Sequence, residues 1–144
     1  MLAIIETKHW RLPQLLAMAL LAMFVLAGCQ REQPIYRVVD SPVPKVSEAL
    51  GVEEVRKQIV LAAEQAGWVI TDAASGRMIA ETRWRTHAAI VAIIYDADSY
   101  SIDYHDSVNL LVGRIPEGMI HREYNRRVQA LEAAISSRLL NPKA

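Results

Sequence analysis

Leu15 to Leu26 (LLAMALLAMFVL) is a run of 12 residues without a polar side chain, and its flanks decide how much of the chain is left to fold. Lys8 and Arg11 outweigh the single acid Glu6 ahead of it, and the small residues Ala27 and Gly28 come after it, then Cys29. A transmembrane helix needs about 20 apolar residues to cross a hydrocarbon core about 30 Å thick. Even counted from Leu12 this run reaches only Gly28, and Pro13 and Gln14 interrupt it. A charged start, a short apolar stretch and small residues at the end are the layout of a secretory signal. Residues 1–28 are therefore expected to be removed, and the fold must be built from Cys29 onward.

Leu26-Ala27-Gly28-Cys29 resembles the lipobox of bacterial lipoproteins at every position, with cleavage just before the cysteine. Small Ala27 and Gly28 let a membrane peptidase approach the backbone, and Cys29 is the nucleophile that becomes a thioether to diacylglycerol. Cys29 is the only cysteine in the sequence. A small secreted domain stapled by disulfides would carry paired cysteines, so a lipidation role accounts for this one. One acyl chain anchors only marginally, at about 0.8 kcal/mol per buried methylene; the three that the resemblance implies would hold the chain permanently. Gln30 follows the cysteine where an inner-membrane retention signal has Asp. The resemblance thus implies the periplasmic face of the cell outer membrane.

Beyond the cysteine, Pro34, Pro42 and Pro44 mark residues 29–46 as a lipidated N-terminus and extended tether. Its 17 residues from Gln30 would reach roughly 50 Å if fully drawn out. A single domain is expected over 47–140, large enough to bury a core without staples. With Lys8, Arg11 and Glu6 removed from totals of 16 basic and 16 acidic residues, the mature chain stays close to neutral. No basic bias points to nucleic acid. The 52% of hydrophobic residues is inflated by the signal and does not indicate a membrane domain.

Val52, Val55, Ile59, Ala62, Ala63 and Ala66 recur at helical spacing, and Gly67 can take the positive φ that ends a helix. Trp68 to Thr71 and Arg77 to Thr86 read as strands of a hairpin turning through Asp72 to Gly76. Alternation in the second strand sets Met78, Ala80, Thr82 and Trp84 against Ile79, Glu81, Arg83 and Arg85. Ala88 to Tyr95 is apolar almost throughout, as a central strand would be. Ser99 to His105 alternates as a half-exposed strand after a turn at Asp96 to Asp98. Ile120, Tyr124, Val128, Leu131, Ile135 and Leu139 form a second helical stripe. The spacing predicts an α+β fold: a helix, a three- to four-stranded antiparallel sheet and a C-terminal helix, with both helices on one sheet face.

The mature part also resembles a group of small bacterial outer-membrane lipoproteins of undefined activity. The resemblance rests on Gly67-Trp68, Gly76 to Ala80, Arg85-Thr86-His87, Tyr100-Ser101-Ile102 with Tyr104, Ser107 to Leu110, Ile120-His121 and Tyr124-Asn125. It implies a fold and no catalytic residue. In topology the chain resembles the helix-grip domains of outer-membrane assembly lipoproteins.

Candidate chemistry is sparse. His87, His105 and His121 lack the close spacing of a metal site. Ser107, Asp106 and His121 are the residue types of a hydrolase, but Ser107 is not in a GxSxG elbow. Asp96 and Asp98 read as turn formers, and Asp103 and Asp106 as a solvated edge. Trp68 and Trp84 are expected to pack in the core. Neither an enzyme, a cofactor nor a metal is expected. Arg77, Arg83, Arg85, Arg122, Arg126 and Arg127 are of more interest, because arginines that converge can clamp a carboxylate or phosphate. Arg83, Arg85, His87, His121 and Asn125 are the candidate binding residues, against the simpler reading that the arginines pair with nearby acids and that Asn125 and His121 pin the helix. The expected function is a lipid-anchored periplasmic interaction module whose partner is an envelope protein, peptidoglycan or a lipid. The alternatives are a structural accessory of outer-membrane assembly and an envelope hydrolase.

Overall fold

The apolar run of residues 88–95 does become the middle of a sheet. In a computed structural model describing residues 32–45, 50–110 and 118–142, five antiparallel strands lie in the order β2-β6-β5-β4-β3. They are β2 (Val38–Pro42), β3 (Val69–Ala74), β4 (Arg77–Trp84), β5 (His87–Tyr95) and β6 (Ser99–Val108). A separate two-stranded sheet pairs β1 (Glu32–Pro34) with β7 (Met119–His121). The helices are α1 (Val52–Gln65) and α2 (Arg122–Leu140). The signal segment, the lipobox and Cys29 lie outside the described residues.

Turn chemistry sets the strand order. Ser75 and Gly76 alone join β3 to β4, and Gly76 takes φ +73°, which a glycine adopts without steric cost. The turn between β5 and β6 is held by Asp96, whose Oδ1 accepts from the backbone N–H groups of Asp98 and Ser99, both at 2.7 Å.

Residues directly opposite each other across antiparallel strands share a face. Met78 and Ala80 of β4 therefore lie beside Val91 and Ile93 of β5, and these beside Ile102 of β6. All are buried, together with the α1 stripe Val55, Ile59, Ala62 and Ala63 and the α2 stripe Tyr124, Val128, Leu131, Ile135 and Leu139. Two hydrogen bonds tie the helical layer to that face: Thr82 Oγ1 donates to Gly67 O at the end of α1, at 2.9 Å, and Ser136 of α2 meets the Tyr100 hydroxyl at 2.9 Å. Trp68, at 2% exposure, closes the core beneath α1. The fold is α+β with the C-terminal helix packed on the sheet, as the spacing predicts.

Two expectations are corrected. The main sheet has five strands and a two-stranded sheet is added, where three or four strands are expected. Strands β1 and β2 come from the segment read as tether, so paired structure begins at Glu32, and β7 comes from the residues just before the C-terminal helix. The prolines that suggest a spacer are compatible with this because β2 is an edge strand, where a missing N–H breaks no second ladder. Val38 opposes Ile102 and is 5% exposed, and Val43, also 5% exposed, donates its N–H to Asp98 O at 2.8 Å.

Candidate functional site

One end of the sheet is built from short, closely tied segments. Strands β4 and β5 are joined by Arg85 and Thr86 alone, since Trp84 opposes His87. Arg85 takes φ +52°, an unusual value for a residue with a side chain. A positive φ at the first central residue of a two-residue turn is a place that favours glycine. The chain after β6 folds back on this turn: Asn109 Nδ2 donates to Thr86 O at 2.7 Å, and His87 Nδ1 lies 2.9 Å from Asn109 O. A carbonyl only accepts, so His87 carries a proton on Nδ1; in the neutral ring Nε2 is then the acceptor.

His121 enters from β7. Its N–H donates to Leu110 O at 3.2 Å, and its side chain caps α2 by accepting the Glu123 N–H at Nδ1, also at 3.2 Å. In the neutral ring the proton therefore sits on Nε2, a donor. The two histidines thus present opposite hydrogen-bonding edges. From the first turns of α2, Arg126 Nη2 meets Glu123 Oε1 at 2.7 Å and Arg127 Nε lies 3.4 Å from the same oxygen. The Arg127 guanidinium also lies 4.0 Å from the centre of the Trp84 ring, within cation–π range. The Trp84 and His87 rings are 5.6 Å apart.

Together these side chains line a cleft of about 520 Å³, in which Arg85, Arg122, Arg126 and Arg127 face a single carboxylate, Glu123. Glu123 is engaged by Arg126 and Arg127. Arg85 and Arg122 have no ion-pair partner among the described residues. Two guanidiniums without an ion-pair partner among the described residues, beside a donor histidine edge and an aromatic wall, form an arrangement suited to an oxyanion, since guanidinium forks match carboxylate and phosphate geometry.

Of the five candidate binding residues, three meet here: Arg85, His87 and His121. Arg83 does not. It is exposed on the sheet face away from the helices and pairs with Glu81. Asn125 is 7% exposed and serves the fold: its Oδ1 accepts the Tyr36 N–H at 2.9 Å and its Nδ2 donates to Pro34 O at 2.8 Å. It pins α2 to the link between β1 and β2, not to the loop preceding the helix. Arg122, Arg126 and Arg127 join Arg85, while Arg77 sits at the far end of β4 opposite Ile94. Trp84, expected in the core, is half-buried at the cleft wall, a position reached because it ends its strand.

Elsewhere, Ser107 Oγ lies 3.1 Å from the Tyr104 hydroxyl, and its N–H donates to Asp106 Oδ1 at 2.7 Å. His105 is exposed on β6. Among the described residues no group of three His, Cys, Asp or Glu side chains is placed to hold a metal ion. No protein-family model, curated protein or solved structure matches this chain.

Proposed function

We propose that this chain is a lipid-anchored interaction module of the cell outer membrane, facing the periplasm, that binds an anionic group of an envelope component in the arginine cleft. The anchor is Cys29, supported by the apolar run before it and by the absence of any second cysteine. The observation that carries the binding reading is the meeting of four guanidiniums around one cavity with, among the described residues lining it, one carboxylate to balance them. Surface arginines normally find an acid or face bulk water singly. Concentrating four in one concavity raises the local anion concentration and leaves donors in place for a ligand.

The positive φ of Arg85 supports the same reading. Strained backbone at a non-glycine residue tends to be retained where the side chain has a task. Here the retained side chain is one of the four guanidiniums that line the cleft.

Two measurements test the proposal. Labelled palmitate should enter the chain in cells and be lost in Cys29→Ala; incorporation that survives the change removes the anchor. The lipidated protein in neutral detergent should bind glycerol phosphate or a short dicarboxylate, followed by Trp84 fluorescence, and lose that binding in an Arg85→Gln, Arg122→Gln double variant. Failure to bind either anion, or binding unchanged in the variant, refutes the cleft.

A further inference from the structure

Resting on that reading, we propose that the cleft takes the phosphate of an anionic phospholipid headgroup in the same leaflet that holds the Cys29 anchor. The cleft would thereby dock the domain flat on its own membrane.

The argument starts from the position of β1. Only Gln30 and Arg31 separate Cys29 from Glu32, where the strand begins. Three extended residue steps span at most about 11 Å. Glu32 is the register partner of His121, a residue of the cleft, and opposed Cα atoms in an antiparallel pair lie about 5 Å apart. His121 is therefore held within about 16 Å of the lipidated residue. The roughly 50 Å of freedom that a 17-residue tether would supply is not available, because Glu32–Pro34 and Val38–Pro42 are both paired in sheets.

A tether this short fixes the source of the ligand. Acyl chains on Cys29 place that residue at the headgroup layer, and arginine side chains reach several ångströms beyond their own Cα atoms. The cleft thus stays within reach of lipid phosphates at all times, at a local concentration that a soluble anion does not match. Its chemistry suits them. Arg85 and Arg122 have no ion-pair partner among the described residues, the His121 edge donates through Nε2, and Arg126 is exposed at the mouth. A phosphodiester carries no proton at neutral pH, so it needs donors and not acceptors. Among the described residues the opposing carboxylates near the site are Glu123, already engaged by Arg126 and Arg127, and Glu32 across from His121. The arginines outnumber them.

The mature chain carries its own reporter. Trp10 leaves with the signal and Trp68 is 2% exposed, so Trp84, stacked under Arg127 at the cleft wall, is the tryptophan that a headgroup reaches. Lipidated protein is inserted through its anchor into vesicles of phosphatidylcholine, or of phosphatidylcholine mixed equally with phosphatidylglycerol, each doped with a headgroup-nitroxide lipid. Trp84 should be quenched more strongly in the mixed vesicles, and added salt should reverse the difference. Each guanidinium removed should weaken the response about fivefold, so Arg85→Gln with Arg122→Gln should nearly abolish it, while Arg77→Gln, outside the cleft, should leave it unchanged. A flexible spacer of 15 or so residues inserted between Gln30 and Arg31 should also reduce the quenching, as the effective concentration falls; circular dichroism confirms that each variant is folded.

Equal quenching with and without phosphatidylglycerol overturns the proposal, as does a response that survives in the double variant. Saturation of the cleft by soluble glycerol phosphate without any response to phosphatidylglycerol also overturns it, but leaves the anion-binding module intact. Silence toward both, with palmitate still incorporated at Cys29, defeats the cleft altogether and spares only the anchor.

Discussion

Arg85→Gly should make the protein more stable and less able to bind. Arg85 holds φ +52° at the first central position of a two-residue turn whose ends, Trp84 and His87, are fixed by pairing. A left-handed backbone costs an ordinary L-residue about 1–2 kcal/mol. Glycine escapes that cost but loses about 0.5–1 kcal/mol through the greater freedom of its unfolded chain. The difference favours glycine by about 0.5–1 kcal/mol, before counting the relief of removing one of four like charges around the cleft. For a domain of this size, the change corresponds to a rise in Tm of about 2–4 °C. Thermal unfolding followed by circular dichroism measures it, and glycerol phosphate titration of the same sample measures binding. A side chain kept for packing would give the opposite sign. If Tm falls in Arg85→Gly, the side chain supports the fold and the strain argument is wrong. If Tm rises and affinity is untouched, Arg85 is not a ligand group.

Two further changes probe the frame around the cleft. Asn125→Ala removes one acceptor and one donor from backbone groups of the β1–β2 link, which should cost about 2–3 kcal/mol in urea unfolding; a loss below about 0.5 kcal/mol would mean that water replaces the side chain freely. The affinity of the remaining folded protein for glycerol phosphate should be unchanged, since Asn125 is not among the residues lining the proposed cleft. Asp96 supplies a pH test: the N–H groups of Asp98 and Ser99 that it accepts hold its carboxyl below its ordinary value of 3.8. A folded-state value lowered in this way means that the stabilisation is complete above pH 3.8 and is lost as pH falls through the folded value. The stability gap between the wild type and Asp96→Ala should therefore be constant from neutral pH to about pH 4 and narrow below it; a gap that widens on acidification contradicts the assignment.

What the sequence discloses of this fold is whatever carries a local period. The α1 and α2 stripes, the apolar β5 and the alternating β6 each repeat with the spacing of their own element. Strands β1 and β2 have no such signature. Three residues of β1 find their partners across most of the chain, Glu32 with His121 and Pro34 with Met119, and nothing within five or ten residues announces a pairing of that range. Composition then misleads, because prolines tolerated on strand ends and edges have the same letters as prolines in a spacer.

The cleft is half legible for a related reason. Alternation assigns Arg83 and Arg85 to one face of β4, yet the strand ends at Trp84, and from there the turn redirects Arg85 while Arg83 keeps to the face away from the helices with Glu81. On α2, Arg122 and Arg126 are four residues apart and share a stripe, whereas Asn125 falls between Tyr124 and Val128 on the buried side. Residue type locates the neighbourhood, and the ends of the elements decide which side chains meet. The same ends alter what the anchor means. A lipid on a long tether only confines a domain to a compartment, leaving its binding surface free to search. The lipid proposed at Cys29, three residues from a strand that pairs with the cleft's own histidine, would also fix which surface the cleft meets. On the proposed anchoring at Cys29, address and binding site are coupled through β1, and lengthening the link should separate them without altering a single residue of the cleft.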